Sequence, residues 1–219
     1  MINLSDRDLR QRDIVPPDKL AACKATVVGV GAVGRQVALQ LAAMGIPFLQ
    51  LIDHDTVESV NLACQGFLES DLGRPKVEAT ANLARQINPR LEIEAVNERF
   101  KRSGPVGNVL FCCVDSIETR RLIWESVRDR VAFFADGRMS AETLRVLVAA
   151  DPASRKHYPT TLFSSGEAFA GACTAKSTIF TAGITAGLML EQFTRHLRGM
   201  PVDADLQMNL LSSELMVVG

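Results

Sequence analysis

The residues best suited to chemistry fall in four short stretches. Gly29-x-Gly31-x-x-Gly34 follows the apolar run ATVVGV and opens a helical pattern. Glycines at this spacing permit a tight turn, close approach of backbone to a phosphate, and close packing of helix on strand. The helix start offers free N–H groups and a positive dipole end to an anion. Asp53, Asp55 and Asn61 lie in LIDHDTVESVNLACQ, Lys76 in GRPKVEAT, and Asp115 in CCVDSIETR. Asp53, at the end of a strand pattern, stands where a carboxylate takes ribose hydroxyls. On the glycine turn and Asp53 alone, NAD is a reasonable occupant. An Asp, an Asn and a Lys around phosphates suit a metal–triphosphate site better than a nicotinamide. Asp115 would hold Mg²⁺, and Lys76 would neutralise β/γ-phosphate charge as pyrophosphate leaves.

The elements that must position these residues alternate along the chain. ATVVGV, FLQLID (48–53), LEIEAV, NVLFCCVD (108–115) and VAFFAD read as strands. Helical patterns cover about 32–44, Gly73 to Asn88 and Ile117 to Arg130, while 54–72 reads as a long loop or short helices. This βα order predicts an α/β fold: a Rossmann-like, doubly wound, mainly parallel sheet with right-handed crossovers. Asp115 would end a central strand and N-cap the next helix. After Gly137 the pattern changes. TLRVLVAA alternates like an antiparallel strand, 151–172 reads as a Pro/Ser/Gly/Thr-rich loop, about 174–198 as a long helix, and ADLQMNLLSSELMVV as one or two strands. The expected organisation is one domain over 1–219, with an N-terminal arm (1–24), a nucleotide-binding core (25–137) and a C-terminal part (138–219) holding antiparallel strands, a loop and the long helix.

Composition narrows the function. The chain has 219 residues, 47% apolar and 22% charged, with net charge −1. That balance argues against nucleic acid or an anionic membrane as partner. The polar N-terminus lacks an apolar leader segment, and TIFTAGITAGLML is too short to span a bilayer. The five cysteines, Cys23, Cys64, Cys112, Cys113 and Cys173, form no disulfide framework and no C-x-x-C. The expectation is a reduced, cytoplasmic protein without a structural four-cysteine zinc site.

Taken jointly, the motifs resemble the ThiF/MoeB superfamily, the activating enzymes of ubiquitin and of bacterial sulfur-carrier proteins. The family pattern runs Arg-Gln-Ile, G-x-G-G-L-G, D-x-D-x-V-x-x-x-N-L-x-R-Q, G-x-P-K, and a strand ending T-D-N followed by Arg. The chain has RDI with Arg12, GVGAVG, DHDTVESVNLACQ, GRPK, and VDSIETR with Asp115 and Arg120. The resemblance implies ATP-dependent adenylation of the C-terminal carboxylate of a small β-grasp, ubiquitin-like protein, with ATP and Mg²⁺ as cofactors. It implies that Gly29, Gly31 and Gly34 cradle the nucleotide, with Asp53 on ribose and Asn61 and Lys76 on phosphates. Asp55 and Arg120 complete the nucleotide set, and Asp115 binds Mg²⁺. Arg12 would reach into the neighbouring subunit of a homodimer. Three departures stand out. Cys64 replaces the family arginine, for which Arg74 is a candidate substitute; Ala32 replaces a glycine; and the zinc-binding C-x-x-C pairs are absent, as in a minimal member.

Other residues divide between chemistry and structure. Cys173, between a loop and a helix start, could attack the adenylate to give a thioester or acyl-persulfide, or be structural. Cys112 and Cys113 read as core, and Cys23 as inert. His54, His157 and His196 read as surface or structural residues. Asp136-Gly137-Arg138 reads as a turn with a salt bridge, or as a substrate-side contact. Gly183 and Gly187 form a small-residue face suited to close helix packing. Two rival functions remain open: an NAD-dependent oxidoreductase, and a degenerate nucleotide-binding scaffold subunit.

Overall fold

The computed structural model describes residues 6–163 and 177–218. Its eight strands form one sheet in the order β3-β2-β1-β4-β5-β6-β7-β8. The parallel part comprises β1 (Lys24–Val28), β2 (Phe48–Ile52), β3 (Glu92–Val96), β4 (Val109–Cys112) and β5 (Phe133–Ser140). The antiparallel part adds β6 (Thr143–Ala149), β7 (Asp205–Asn209) and β8 (Glu214–Val217). β1, β2 and β4 are almost wholly buried, as expected of strands covered on both faces.

The helices are α1 (Pro17–Ala21), α2 (Ala32–Met44), α3 (Ser59–Gln65), α4 (Lys76–Ile87), α5 (Ile117–Val127), α6 (Pro152–His157) and α7 (Ile179–Leu197). One core layer packs α2, α4 and α7 on the sheet, through Val37, Leu41, Val77, Met189 and Phe193 against Val27, Phe111 and Phe133. On the other face Ile123 and Trp124 of α5, with Tyr158 beyond α6, pack against Leu110 and Phe134. Trp124, Phe134 and Tyr158 meet at ring-centroid distances of 4.8–5.1 Å, within the range of favourable aromatic pairs.

The structure departs from the sequence reading in two places here. β5 continues through Gly137 to Ser140, because this glycine admits close packing of α7: a Cβ there would stand 2.6 Å from the Met189 sulfur. Residues 151–163 are not a plain loop. Asp151 caps α6, accepting from the Ala153 and Ser154 N–H groups with Pro152 at the first helical position, and a 3-10 turn (Tyr158–Thr161) follows. The N-terminal arm packs against the end of α2. Arg7 donates to the Ala42 and Ala43 carbonyls and Gln11 to that of Met44, satisfying acceptors at the C-terminal end of α2. Among the described residues, no helix is long and apolar enough to cross a membrane.

Candidate functional site

Sheet register brings the chemistry-bearing residues together. Val28 pairs with Ile52 on one side and Cys112 on the other, and Cys112 pairs with Asp136. Gly29, Asp53 and the segment Cys113–Asp115 therefore leave the sheet side by side at its carboxyl edge. Strand order reverses between β1 and β4 there, the crevice where open α/β sheets bind ligands.

The three glycines of the turn have different reasons to be glycine. Gly29 has φ +85°, and a Cβ would lie 2.7 Å from the Cys113 carbonyl oxygen. At Gly34 a Cβ would lie 1.8 Å from the Gly29 carbonyl oxygen. The positive φ and the backbone leaving β4 demand the first, and close packing of α2 on the turn demands the second. Around Gly31 the nearest atoms are those of the Gln65 carboxamide at 3.9 and 4.0 Å, an ordinary contact. Gly31 is the N-cap of α2, and no side chain caps that helix. Its bare backbone and the uncapped N–H groups fit a phosphate rather than a packing need.

Asp53 fastens this turn. Its Oδ2 accepts from the Val30 N–H at 2.6 Å, and its Oδ1 from the Asp55 N–H at 2.9 Å. Lys76 opens α4 with a nearly buried side chain, and its Nζ donates to Asp55 Oδ2 at 3.0 Å. Asp53, His54 and Asp55 offer ligand-type atoms within 4.8 Å of one another. Much of that capacity is engaged by backbone N–H groups and by Lys76. Asn61 is the third residue of α3 and accepts from the Glu58 N–H, closing a capping box. Its amide N–H groups remain to offer a ligand.

Asp115 follows β4 with an exposed side chain, but it is not the helix cap. Ser116 is, accepting from the Thr119 N–H. Asp115 is therefore free of the capping bond, and one carboxylate beside phosphates suits Mg²⁺, which retains several waters. Arg120, expected at the nucleotide, is instead buried beneath the edge. It donates to the Asp136 carboxylate at 2.8 Å, to the Asp115 carbonyl and to the Gly137 carbonyl. Burial lowers its pKa, but Asp136 more than offsets this and holds it charged. Asp136, fully buried within β5, also accepts from Arg138 at 2.8 Å and from the Tyr158 hydroxyl at 3.0 Å. The salt bridge expected at Asp136 and Arg138 exists, though in a strand rather than a turn. Tyr158 was not foreseen, because its partner lies 22 positions away in sequence.

The remaining candidates lie apart or are buried. Arg12 sits in the arm, half-exposed, 3.8 Å from Asp13. The arm packs at the far end of α2, whose 13 residues span about 20 Å from the glycine turn. Within one chain, Arg12 is thus not brought to the turn. Arg74 is half-exposed and 3.9 Å from Asp71. Cys64 bonds back to the Val60 carbonyl within α3. Burial pushes the Cys112 thiol up to about 12 and raises those of Cys113 and Cys23, so none is a poised nucleophile. Cys173 lies outside the described residues. His54 approaches Asp55 at 3.5 Å, His157 bonds Asp205 at 3.1 Å, and His196 packs tilted against Phe133. Gly183 and Gly187 have no described atom within 4 Å of a Cβ built at either.

Sequence reading also missed Arg35, directly after Gly34. It is only 1% exposed, donates to the Gly66 carbonyl at 2.7 Å and lies over the Phe67 ring. Its position beside the third glycine was the available signal.

A doubly wound sheet with an uncapped glycine turn at its reversal point defines a Rossmann-like α/β protein. The chain belongs to the ThiF family, whose profile matches residues 6–217. It is 35% identical over 118 residues to the molybdopterin-synthase adenylyltransferase of Haemophilus influenzae, a match covering 51% of this chain and 49% of that one. It is 30% identical over 135 residues to the sulfur carrier protein ThiS adenylyltransferase of Escherichia coli, covering 55% and 54%. The matched stretches thus span about half the length of these relatives. The crystal structure of E. coli MccB shares the fold at TM-score 0.81 and 15% identity, over 98% of this chain and 69% of that one.

Proposed function

We propose that the protein adenylates the C-terminal carboxylate of a small ubiquitin-like or sulfur-carrier protein, with ATP as co-substrate. The observation that carries this reading is the uncapped α2 N-terminus at Gly31, flanked on one sheet edge by Asp53, Lys76 and Asp115. The names of the two adenylyltransferase relatives support it. A carboxylate oxygen of the partner attacks the α-phosphorus, and the bond to the pyrophosphate oxygen breaks. The products are an acyl-adenylate and pyrophosphate. An ionised carboxylate needs no general base, so catalysis rests on positioning and charge stabilisation.

In this reading the α2 N-terminus and the glycine turn receive phosphate oxygens, and Asp53 turns its remaining lone pairs to ribose. Lys76, held by Asp55, exchanges that partner for the departing pyrophosphate. The Asn61 amide adds a donor. Asp115 would hold Mg²⁺, which screens the triphosphate when bound. Arg120 acts as a positioning residue, tying the Asp115 carbonyl to Asp136. An oxidoreductase reading gives Lys76 no task.

The finer parts of the reading are a single adenylation domain, a cytoplasmic setting, and a homodimer in which Arg12 acts on the neighbouring site. The distance of Arg12 from its own glycine turn supports the last. Cys173 is proposed to take the acyl group from the adenylate as a thioester, releasing AMP. The test is ATP–pyrophosphate exchange with Mg²⁺, with and without a sulfur-carrier protein ending in glycine. Partner-dependent exchange supports the reading. Folded protein that binds ATP but never exchanges, across a panel of such partners, favours a non-catalytic subunit.

A further inference from the structure

A chain of contacts links Gly31 of the glycine turn, through Arg35, to Gly66 and Gln65 at the end of α3. The Arg35 N–H bonds the Gly31 carbonyl at 3.0 Å. Its side chain crosses to α3 and donates from Nη2 to the Gly66 carbonyl. The carboxamide of Gln65, one residue back, lies 3.9–4.0 Å from where a Cβ at Gly31 would stand. Along these contacts three buried polar atoms find no hydrogen-bond partner among the described residues: Arg35 Nε, Arg35 Nη1 and Gln65 Oε1. Asp71 acts on the guanidinium only at long range, and burial lowers the Arg35 pKa. A nearly sealed cation with unmet donors is destabilising in itself. Replacement by an apolar side chain of similar length would fold as well or better.

Such a cation beside a helix N-terminus matches one ligand chemistry. Two unmet guanidinium donors call for an acceptor-rich anion, and phosphate oxygens fit them. Rotating the Gln65 carboxamide by half a turn exchanges its orphan acceptor for N–H donors of the same sense. The cover is the Phe67 ring, 4.5 Å from the guanidinium, together with α3, which contributes no buried residue of its own. Cys64, one position before Gln65, brings no charge to this place, whereas Arg35 stands directly after the third glycine of the turn.

We propose that Arg35, with Gln65, is a phosphate-binding pair of the nucleotide site, reached when α3 shifts off the guanidinium. This rests on the ATP reading above. The experiment compares ATP and adenosine binding by calorimetry in Mg²⁺ buffer, for the wild type and Arg35→Met, with thermal midpoints measured alongside. The expected result is an ATP affinity lower by about tenfold or more, an adenosine affinity unchanged, and a midpoint no lower than wild type. Arg35→Gln, which keeps a donor for the Gly66 carbonyl, reads the same ratio if Arg35→Met folds poorly. A wild type that prefers ATP and variants that keep this preference overturn the role of Arg35 alone. Equal loss of ATP and adenosine makes Arg35 structural and overturns it too. A wild type that binds ATP no better than adenosine overturns the triphosphate reading beneath it.

Discussion

Lys76 carries its Nζ to 3.0 Å from an Asp55 oxygen, with the lysine side chain 8% exposed and the aspartate 51%. The ammonium is thus held at the site edge by a partner that water can solvate after release. Lys76→Met should lower ATP–pyrophosphate exchange by about 100-fold or more, the scale of losing one electrostatic contact in the transition state. The assay is single-point exchange at saturating ATP. Unchanged exchange would leave Lys76 a structural partner of Asp55.

Asp115 and Ser116 are neighbours with separable roles. Ser116→Ala should cost about 1 kcal/mol in urea unfolding, because it removes the α5 cap, and should leave exchange nearly intact. Asp115→Ala should show the reverse, with little stability change and lost exchange. A shared phenotype would refute the division.

Among the described residues, Asp136 is the only carboxylate that touches both Arg120 and Arg138, and it is fully buried. Asp136→Ala strands two guanidinium groups and should destabilise by about 3–5 kcal/mol. Chemical denaturation measures it. A loss below about 1 kcal/mol would mean that the arginines find other partners.

Asp205 gives a pH signature. Burial raises its pKa, but hydrogen bonds from Arg145 and His157 outweigh this and leave it below the ordinary 3.8. A depressed folded value means stability fully present above pH 3.8 and lost as pH falls through the folded pKa. The stability gap between wild type and Asp205→Asn should therefore narrow on acidification below about pH 4. A gap constant with pH would place the effect elsewhere.

Much of this architecture was legible because its signals are local. The apolar runs around Val27 and Phe111 announced buried strands, and Gly31 to Gly45 framed α2. α6 was also written locally, in Asp151, Pro152 and Ser154, but the Ser/Thr-rich surroundings obscured it. The site residues were legible by type rather than by role. Asp115 and Lys76 reach the expected edge. Arg120 does not face it, since its partners Asp136 and Gly137 lie a strand away. Burial of Arg35 depends on Gly66 and Phe67, some 30 positions distant, which no periodicity encodes.

The unequal demands on the three glycines also carry an evolutionary meaning. Alanine at position 34 would collide with the backbone of Gly29, so lineages that change it should lose the protein altogether. Alanine at position 31 would meet only the movable end of Gln65. A descendant that abandons nucleotides can therefore drift at position 31 while position 34 stays fixed. Among relatives, the residue at 31 is thus expected to vary with nucleotide binding, and the residue at 34 to stay glycine whether or not binding persists.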